Sequence, residues 1–210
     1  MVTVVGTAQA ADPAQTQFSD LLSLDFASMA ALSQEDELEA PPPAIPDFGT
    51  KGSWRWAVQG GFAIDMDESK NTFVLLGGGF SYFMVDNLSL EIELNGMYIS
   101  QVGDDAFAIN FNLLGRWHFL VRDKWTLYGE VGAGLLGATE TVPGPSLDDP
   151  RGGSHFEFTP QGGFGVTYEI KPQMRLVSGV RWHHISNART NNSNPRRDSV
   201  LVYVGVSMPF

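Results

Sequence analysis

The chain has 210 residues, a formal net charge of −11 at pH 7 and no cysteine. Its length suits one domain, its acidity argues against a nucleic-acid partner, and the lack of cysteine excludes disulfides, zinc–thiolate sites and a thiol nucleophile. No apolar run approaches the roughly 20 residues of a spanning helix, so a membrane role would require a β-barrel.

The first 50 residues differ in composition from the rest of the chain. Ala8-Gln9-Ala10 fits the small-residue pattern of a signal-peptide cleavage site, although the basic and long apolar regions before it are missing. Residues 1–11 therefore resemble the remnant of a signal peptide. Residues 12–50 are acidic and Pro-rich and contain no lysine or arginine. We expect them to form a flexible N-terminal segment, followed by a barrel over residues 51–210.

From Trp54 onward, apolar and polar residues alternate in eight segments. Successive side chains of a strand point to opposite faces, so Leu90 and Ile92 lie on one face and Glu91 and Glu93 on the other. Eight such segments predict an all-β fold, an eight-stranded antiparallel transmembrane β-barrel. The apolar rows begin at Trp54, Val74, Leu88, Phe107, Trp125, Phe156, Met174 and Val200.

The connections between these segments alternate in length. Short turns after the second, fourth and sixth segments alternate with links that include the long stretches 137–154 and 187–197. Outer-membrane barrels have short periplasmic turns and longer external loops, so both termini are expected in the periplasm. The chain ends on Phe210, which resembles the terminal signal of barrels inserted by the outer-membrane barrel assembly machinery, an expected partner.

A soluble barrel of lipocalin type is the main structural alternative, since it would bury the apolar rows inside. Aromatic residues at both ends of these rows favour the membrane barrel, because they resemble interfacial girdles. The charged row would then line the interior, where opposite charges would pair. In a membrane barrel five large side chains should point outward: Trp54, Phe62, Phe111, Trp117 and Phe164.

The candidate catalytic residues lie at one end of the last two segments. The apolar row of the seventh segment continues into His184 and Ser186, and Asp198 is the next position on the row of the eighth. In a serine hydrolase a histidine takes the serine proton and an acid orients the histidine. The nearest candidates to stabilise an oxyanion are Asn187 and Ala188.

The stretch His184-Ile185-Ser186-Asn187-Ala188, with an acid on the last strand, resembles the lipid A 3-O-deacylase (acyloxyacyl hydrolase-like) family of outer-membrane enzymes. The resemblance is strongest over residues 180–210. It implies a lipid-facing triad of Ser186, His184 and Asp198, although the family usually has Glu at the acid position. It further implies a bacterial outer-membrane esterase without metal or cofactor, which removes an ester-linked acyl chain from lipid A of lipopolysaccharide at the outer-leaflet side.

Three arginines of the last external loop, Arg189, Arg196 and Arg197, are candidates for binding lipid A phosphates; the alternative is that they are solvated loop charges. His183 and His184 are a poor metal pair, because adjacent strand residues face opposite ways, and we expect His183 in the lumen. Two functional alternatives stay open: a non-catalytic barrel with a structural or binding role, and a barrel phospholipase or acyltransferase.

Overall fold

Nine strand segments follow one another in the structure, a computed structural model that describes residues 45–67, 71–145, 150, 152–191 and 193–210. The predicted signal remnant and residues 12–44 lie outside these residues. Within the described ranges, no helix is long and apolar enough to cross a membrane. The segments are β1 (Trp54–Asp65), β2 (Thr72–Val85), β3 (Leu88–Ser100), β4 (Ala106–Val121), β5 (Trp125–Val142), β6 (Ser154–Phe158), β7 (Gln161–Lys171), β8 (Met174–Ile185) and β9 (Arg197–Pro209).

The strands close into an antiparallel ring in which β1 pairs with both β2 and β9. β6 and β7 both pair with β5 in one register, with Leu135 opposite Phe158 and Gly132 opposite Gln161. They form a single wall strand that is interrupted at Pro160, which has no N–H to donate to a ladder. The ring therefore has eight wall strands, which confirms the predicted fold class.

The apolar rows face outward. All five large side chains predicted to point outward are exposed, from 40% for Phe111 to 73% for Phe164. An outward apolar surface on a closed ring is the arrangement of a membrane-spanning barrel. It contradicts the soluble alternative, in which the same side chains would fill the interior.

The middle of the interior is a charged layer of five buried side chains. Arg181 lies 2.7 Å from Glu93 and 2.6 Å from Glu130. Arg116 lies 2.8 Å from Glu130 and 3.0 Å from Glu91. Charges removed from water are tolerated only when they are paired and hydrogen-bonded, and this layer meets that requirement, as the sequence predicted.

Other side chains fill the interior on either side of this layer. Toward the end that carries the longer connections lies an apolar cluster, to which Phe73, Met97, Ile99, Leu136 and Ile185 belong. At the opposite end Phe48 packs between the guanidinium groups of two arginines, 5.2 Å from Arg55 and 4.2 Å from Arg175. Its ring also contacts Phe83 and His118 edge-on.

The charged layer predicts a large effect of removing one of its members. We expect Arg181→Met to lower the free energy of unfolding by about 3–5 kcal/mol, because buried Glu93 loses its close cationic partner and buried Glu130 loses one of its two. The measurement is urea unfolding of the barrel folded in liposomes, followed by tryptophan fluorescence. Arg122→Met, in an exposed turn, is the matched control and should change the free energy of unfolding little. A loss below 1 kcal/mol in Arg181→Met would contradict the proposed role of the layer.

Candidate active site

The pairing of β8 with β9 brings the predicted serine, histidine and acid together. His184 lies directly opposite Asp198 in the register of these strands. Ser186 follows His184 by two residues, so both side chains project from the outer face. The three residues lie where β8 ends and β9 begins, next to the loop of residues 187–196.

The three side chains form one hydrogen-bonded chain. His184 Nδ1 lies 2.8 Å from Asp198 Oδ1, and His184 Nε2 lies 3.0 Å from Ser186 Oγ. A carboxylate only accepts, so the network assigns the proton to Nδ1 and leaves Nε2 as an acceptor for the Ser186 hydroxyl. This is the arrangement in which an imidazole acts as a base toward a serine.

The site is open on the outer surface of the barrel. The side chain of His184 is 18% exposed and that of Asp198 23%. Trp182, two residues before His184 on the same face, donates its indole N–H to Asp198 Oδ1 over 2.8 Å. The sequence pattern places Trp182 on the same row as His184 but does not by itself predict this contact. The strand pairing would have indicated it, because Trp182 is the diagonal neighbour of Asp198.

The β6–β7 wall strand holds the serine from the other side. Ser186 exchanges two backbone hydrogen bonds with Phe158, over 3.1 and 2.8 Å, and His184 N donates to Pro160 O over 2.9 Å. These contacts, which the sequence did not reveal, fix the backbone of both residues although Ser186 lies beyond the end of β8.

Asn187 anchors the loop and is fully buried, away from a substrate on the outer face, which corrects its assignment as an oxyanion candidate. Its side-chain amide donates to Ser193 O over 2.7 Å and its backbone N–H to Asn194 Oδ1 over 3.1 Å. Its Oδ1 accepts from the backbone of Arg189. Ala188 has a φ of 52°, and its backbone N–H donates to no group in the described part of the chain. Ala188 therefore remains a candidate to stabilise an oxyanion.

The three loop arginines do not lie together. Arg189 and Arg196 are exposed. Arg197 is 2% exposed and faces the interior, where its Nε lies 3.3 Å from Asp65 and its Nη2 3.1 Å from Gln101. The prediction that Arg197 binds a lipid phosphate is therefore wrong, since Arg197 alternates with the outward-facing Asp198.

His183 is buried, as expected for a lumen residue, and its ring packs 5.1 Å from that of Phe73. Over the ranges that the structure describes, no three His, Asp or Glu side chains are grouped so that they could hold a metal ion. The outer face of the site presents the hydroxyl of Ser186, the imidazole of His184 and the carboxylate of Asp198.

Comparisons with known proteins bear on the family and the fold of this chain. The sequence model of the family described as lipid A 3-O-deacylase (PagL) matches residues 47–207. A search of curated proteins gives no match. Among solved structures, the chain is similar to the outer membrane enzyme PagL, with 18% identity and a TM-score of 0.52, covering 73% of this chain and 99% of that one.

Two further solved structures share the fold. Neisserial surface protein A (NspA) is 16% identical with a TM-score of 0.53, covering 76% of this chain and 98% of that one. The N-terminal β-barrel domain of Pseudomonas aeruginosa OprF is 14% identical with a TM-score of 0.52 and the same two coverages. At these identities the likenesses establish the architecture alone, that of small outer-membrane barrels.

The contacts of Asn187 predict a role in holding the loop. Asn187→Ala removes the hydrogen bonds that its side chain makes with the Ser193 carbonyl and the Arg189 N–H, and the loss of such a bond costs about 1–3 kcal/mol. We expect trypsin to cleave after the exposed Arg189 about 10-fold faster, as measured by mass spectrometry of the folded barrel. Asn95→Ala, a buried asparagine of the barrel interior, is the control. An unchanged cleavage rate in Asn187→Ala would contradict the anchoring role.

Proposed function

This chain belongs to the lipid A 3-O-deacylase (PagL) family of outer-membrane β-barrels, and we propose that it hydrolyses an ester-linked acyl chain of lipid A through Ser186, His184 and Asp198. The observation that carries the proposal is the hydrogen-bonded chain of these three side chains on the outward-facing surface of the barrel. A substrate that is itself a membrane lipid reaches that surface without leaving the bilayer.

The first half of the reaction forms an acyl-enzyme. Ser186 Oγ attacks the carbonyl carbon of the ester while His184 Nε2 takes the hydroxyl proton. Asp198 accepts from Nδ1, which keeps the imidazole in the required tautomer and stabilises the imidazolium. The tetrahedral intermediate then collapses, the C–O bond to the sugar breaks, and the sugar oxygen leaves with the proton from Nε2.

The second half releases the fatty acid. Water enters the place of the departed sugar, gives a proton to His184 Nε2 and attacks the acyl carbon, and the proton returns to Ser186 Oγ as the ester bond breaks. Each step places negative charge on the former carbonyl oxygen, which needs a donor. The backbone N–H of Ala188, which has no partner among the described residues, is the candidate donor next to Ser186.

The position of the triad suits a reaction at the membrane surface. It lies beside the longer loops, and in outer-membrane barrels long loops face outward from the cell. The active site would then meet the outer leaflet, where lipid A sits. A carboxylate near the interface costs only about 0–1 kcal/mol, against more at the midplane, so Asp198 is tolerated there.

Arg189 and Arg196 are the remaining candidates to recognise the charged part of the substrate. Both are exposed on the loop that begins directly after Ser186, and arginine binds phosphate with paired, charge-assisted hydrogen bonds. We propose that they contact the phosphates of lipid A while the acyl chain lies against the barrel wall. Arg197 has no part in this, because it faces the interior.

The triad predicts a hierarchy of losses. Ser186→Ala and His184→Ala should each lower the rate by a factor on the order of 10⁶, because the members of a triad act as a unit. Asp198→Asn should cost less, about 10⁴, because the acid orients the imidazole and does not react. The measurement is release of fatty acid from purified lipopolysaccharide in detergent, with the product identified by mass spectrometry.

Folding is the control for these variants. All three residues lie on the surface, so each variant should still migrate as a heat-modifiable barrel. Full activity of Ser186→Ala would eliminate the mechanism. Release of fatty acid from glycerophospholipids instead of lipid A would favour a phospholipase, and no acyl release by the unmodified protein would favour a non-catalytic barrel.

The loop predicts a selective effect on charged substrates. Arg189→Gln with Arg196→Gln should weaken action on phosphorylated lipid A about 10-fold and leave hydrolysis of a neutral ester of similar chain length unchanged, since only the phosphate contacts are lost. The matched control is Arg122→Gln with Lys124→Gln, two exposed cations of a turn at the opposite end. Equal loss on both substrates would count against phosphate recognition.

A further inference from the structure

The carboxylate of Asp198 has a second partner besides His184. Its Oδ1 accepts both the Nδ1–H of His184 and the Nε1–H of Trp182, each over 2.8 Å. Trp182 pairs with Val200 in the register of β8 and β9 and is therefore the diagonal neighbour of Asp198. Diagonal neighbours lie about 7–8 Å apart, within reach of an indole.

We propose that Trp182 is a positioning residue whose indole N–H holds the Asp198 carboxylate in the orientation that His184 requires. The inference rests on the proposed function, since it concerns the acid of the same triad. An aspartate that accepts a single hydrogen bond can still rotate about its side-chain bonds. When His184 and Trp182 both donate to Oδ1, the carboxylate is restricted to one orientation. In that orientation Oδ1 stays within hydrogen-bond distance of His184 Nδ1.

The surroundings of the acid explain why a second donor matters. Asp198 lies on the row that continues into Val200 and Val202, both of which face outward. A carboxylate beside apolar groups is costly unless it is hydrogen-bonded. An indole N–H near a membrane needs an acceptor as well, so the contact satisfies both groups. The ring of Trp182 also lies beside that of His184, with centroids 5.5 Å apart.

An ordinary interfacial role would not produce this arrangement. Outward-facing tryptophans of barrels sit at headgroup level with their N–H toward water or lipid. Trp54 and Trp117, which also face outward, pack their rings against Tyr82 and Phe119. The indole N–H of Trp182 points instead to the triad acid, so the same residue type serves the chemistry here.

Trp182→Phe tests the proposal, because it removes the donor and keeps an apolar aromatic ring. We expect kcat for acyl release from lipopolysaccharide to fall about 10-fold with KM unchanged. Trp117→Phe, the same change at an outward site away from the triad, should leave both constants as they are. A raised KM with unchanged kcat in Trp182→Phe would overturn the proposal, because Trp182 would then contact the substrate.

A double-mutant cycle separates action through Asp198 from an independent effect. In an Asp198→Ala background the indole has no carboxylate to hold, so adding Trp182→Phe should cause no further loss of the residual rate. A second 10-fold loss in that background would overturn the proposal. If Ser186→Ala is inactive while Trp182→Phe is as active as Trp117→Phe, the inference fails and the proposed function stands.

The hydrogen bond itself can be measured without the Trp182 variant. The chain has five tryptophans, so the ¹⁵N–¹H spectrum of the indole groups is simple to resolve. The Trp182 Nε1–H signal should lie downfield in the unmodified protein and move upfield in Asp198→Ala. Signals that do not differ between the two proteins would overturn the proposal, whatever the kinetics.

Discussion

A chain that crosses lipid must pair all of its backbone N–H and C=O groups within itself, because the bilayer core offers no other partner. Closure of the sheet through β1 and β9 meets this constraint. Once the ring is closed, every wall strand has one face toward lipid and one toward the lumen. The same alternation puts Ser186, His184 and Asp198 where a lipid can reach them and puts His183 and Arg197 inside.

The charged layer meets a similar requirement inside the barrel, where buried charges must be paired with one another. Two arginines share three glutamates, and Tyr203 donates a further hydrogen bond to Glu130. Because each carboxylate has at least one cationic partner, the layer ties β3, β4, β5 and β8 together across the lumen. The strand that carries His184 is thereby fixed from inside, so the outer face of β8 is a rigid support for the proposed triad.

The barrel fold and the outward position of the site could be predicted from the alternation of apolar and polar residues along the strands. The contacts of the loop after Ser186 could not, because its backbone is irregular. The position of His184 and Ser186 on the outer face could be predicted, because side chains two residues apart on a strand point to the same face. Arg197 follows Arg196 in the sequence, which favours a shared role in the loop, but it alternates with the outward-facing Asp198 and therefore faces the interior. The role of Asn187 depends on residues 193 and 194 folding back onto it, which no periodic pattern encodes. The break at Pro160 interrupts a strand without changing its register, so the predicted number of wall strands was unaffected.

The filled interior has an electrical consequence. Along the axis of the described barrel, an ion would meet apolar side chains at one end, arginine–glutamate pairs in the middle and the ring of Phe48 between two guanidinium groups at the other. None of these offers a continuous column of water, so the barrel should carry no steady current across a planar bilayer. An enzyme built in this way can be abundant in a membrane without adding conductance, and the permeability of that membrane is left to its porins.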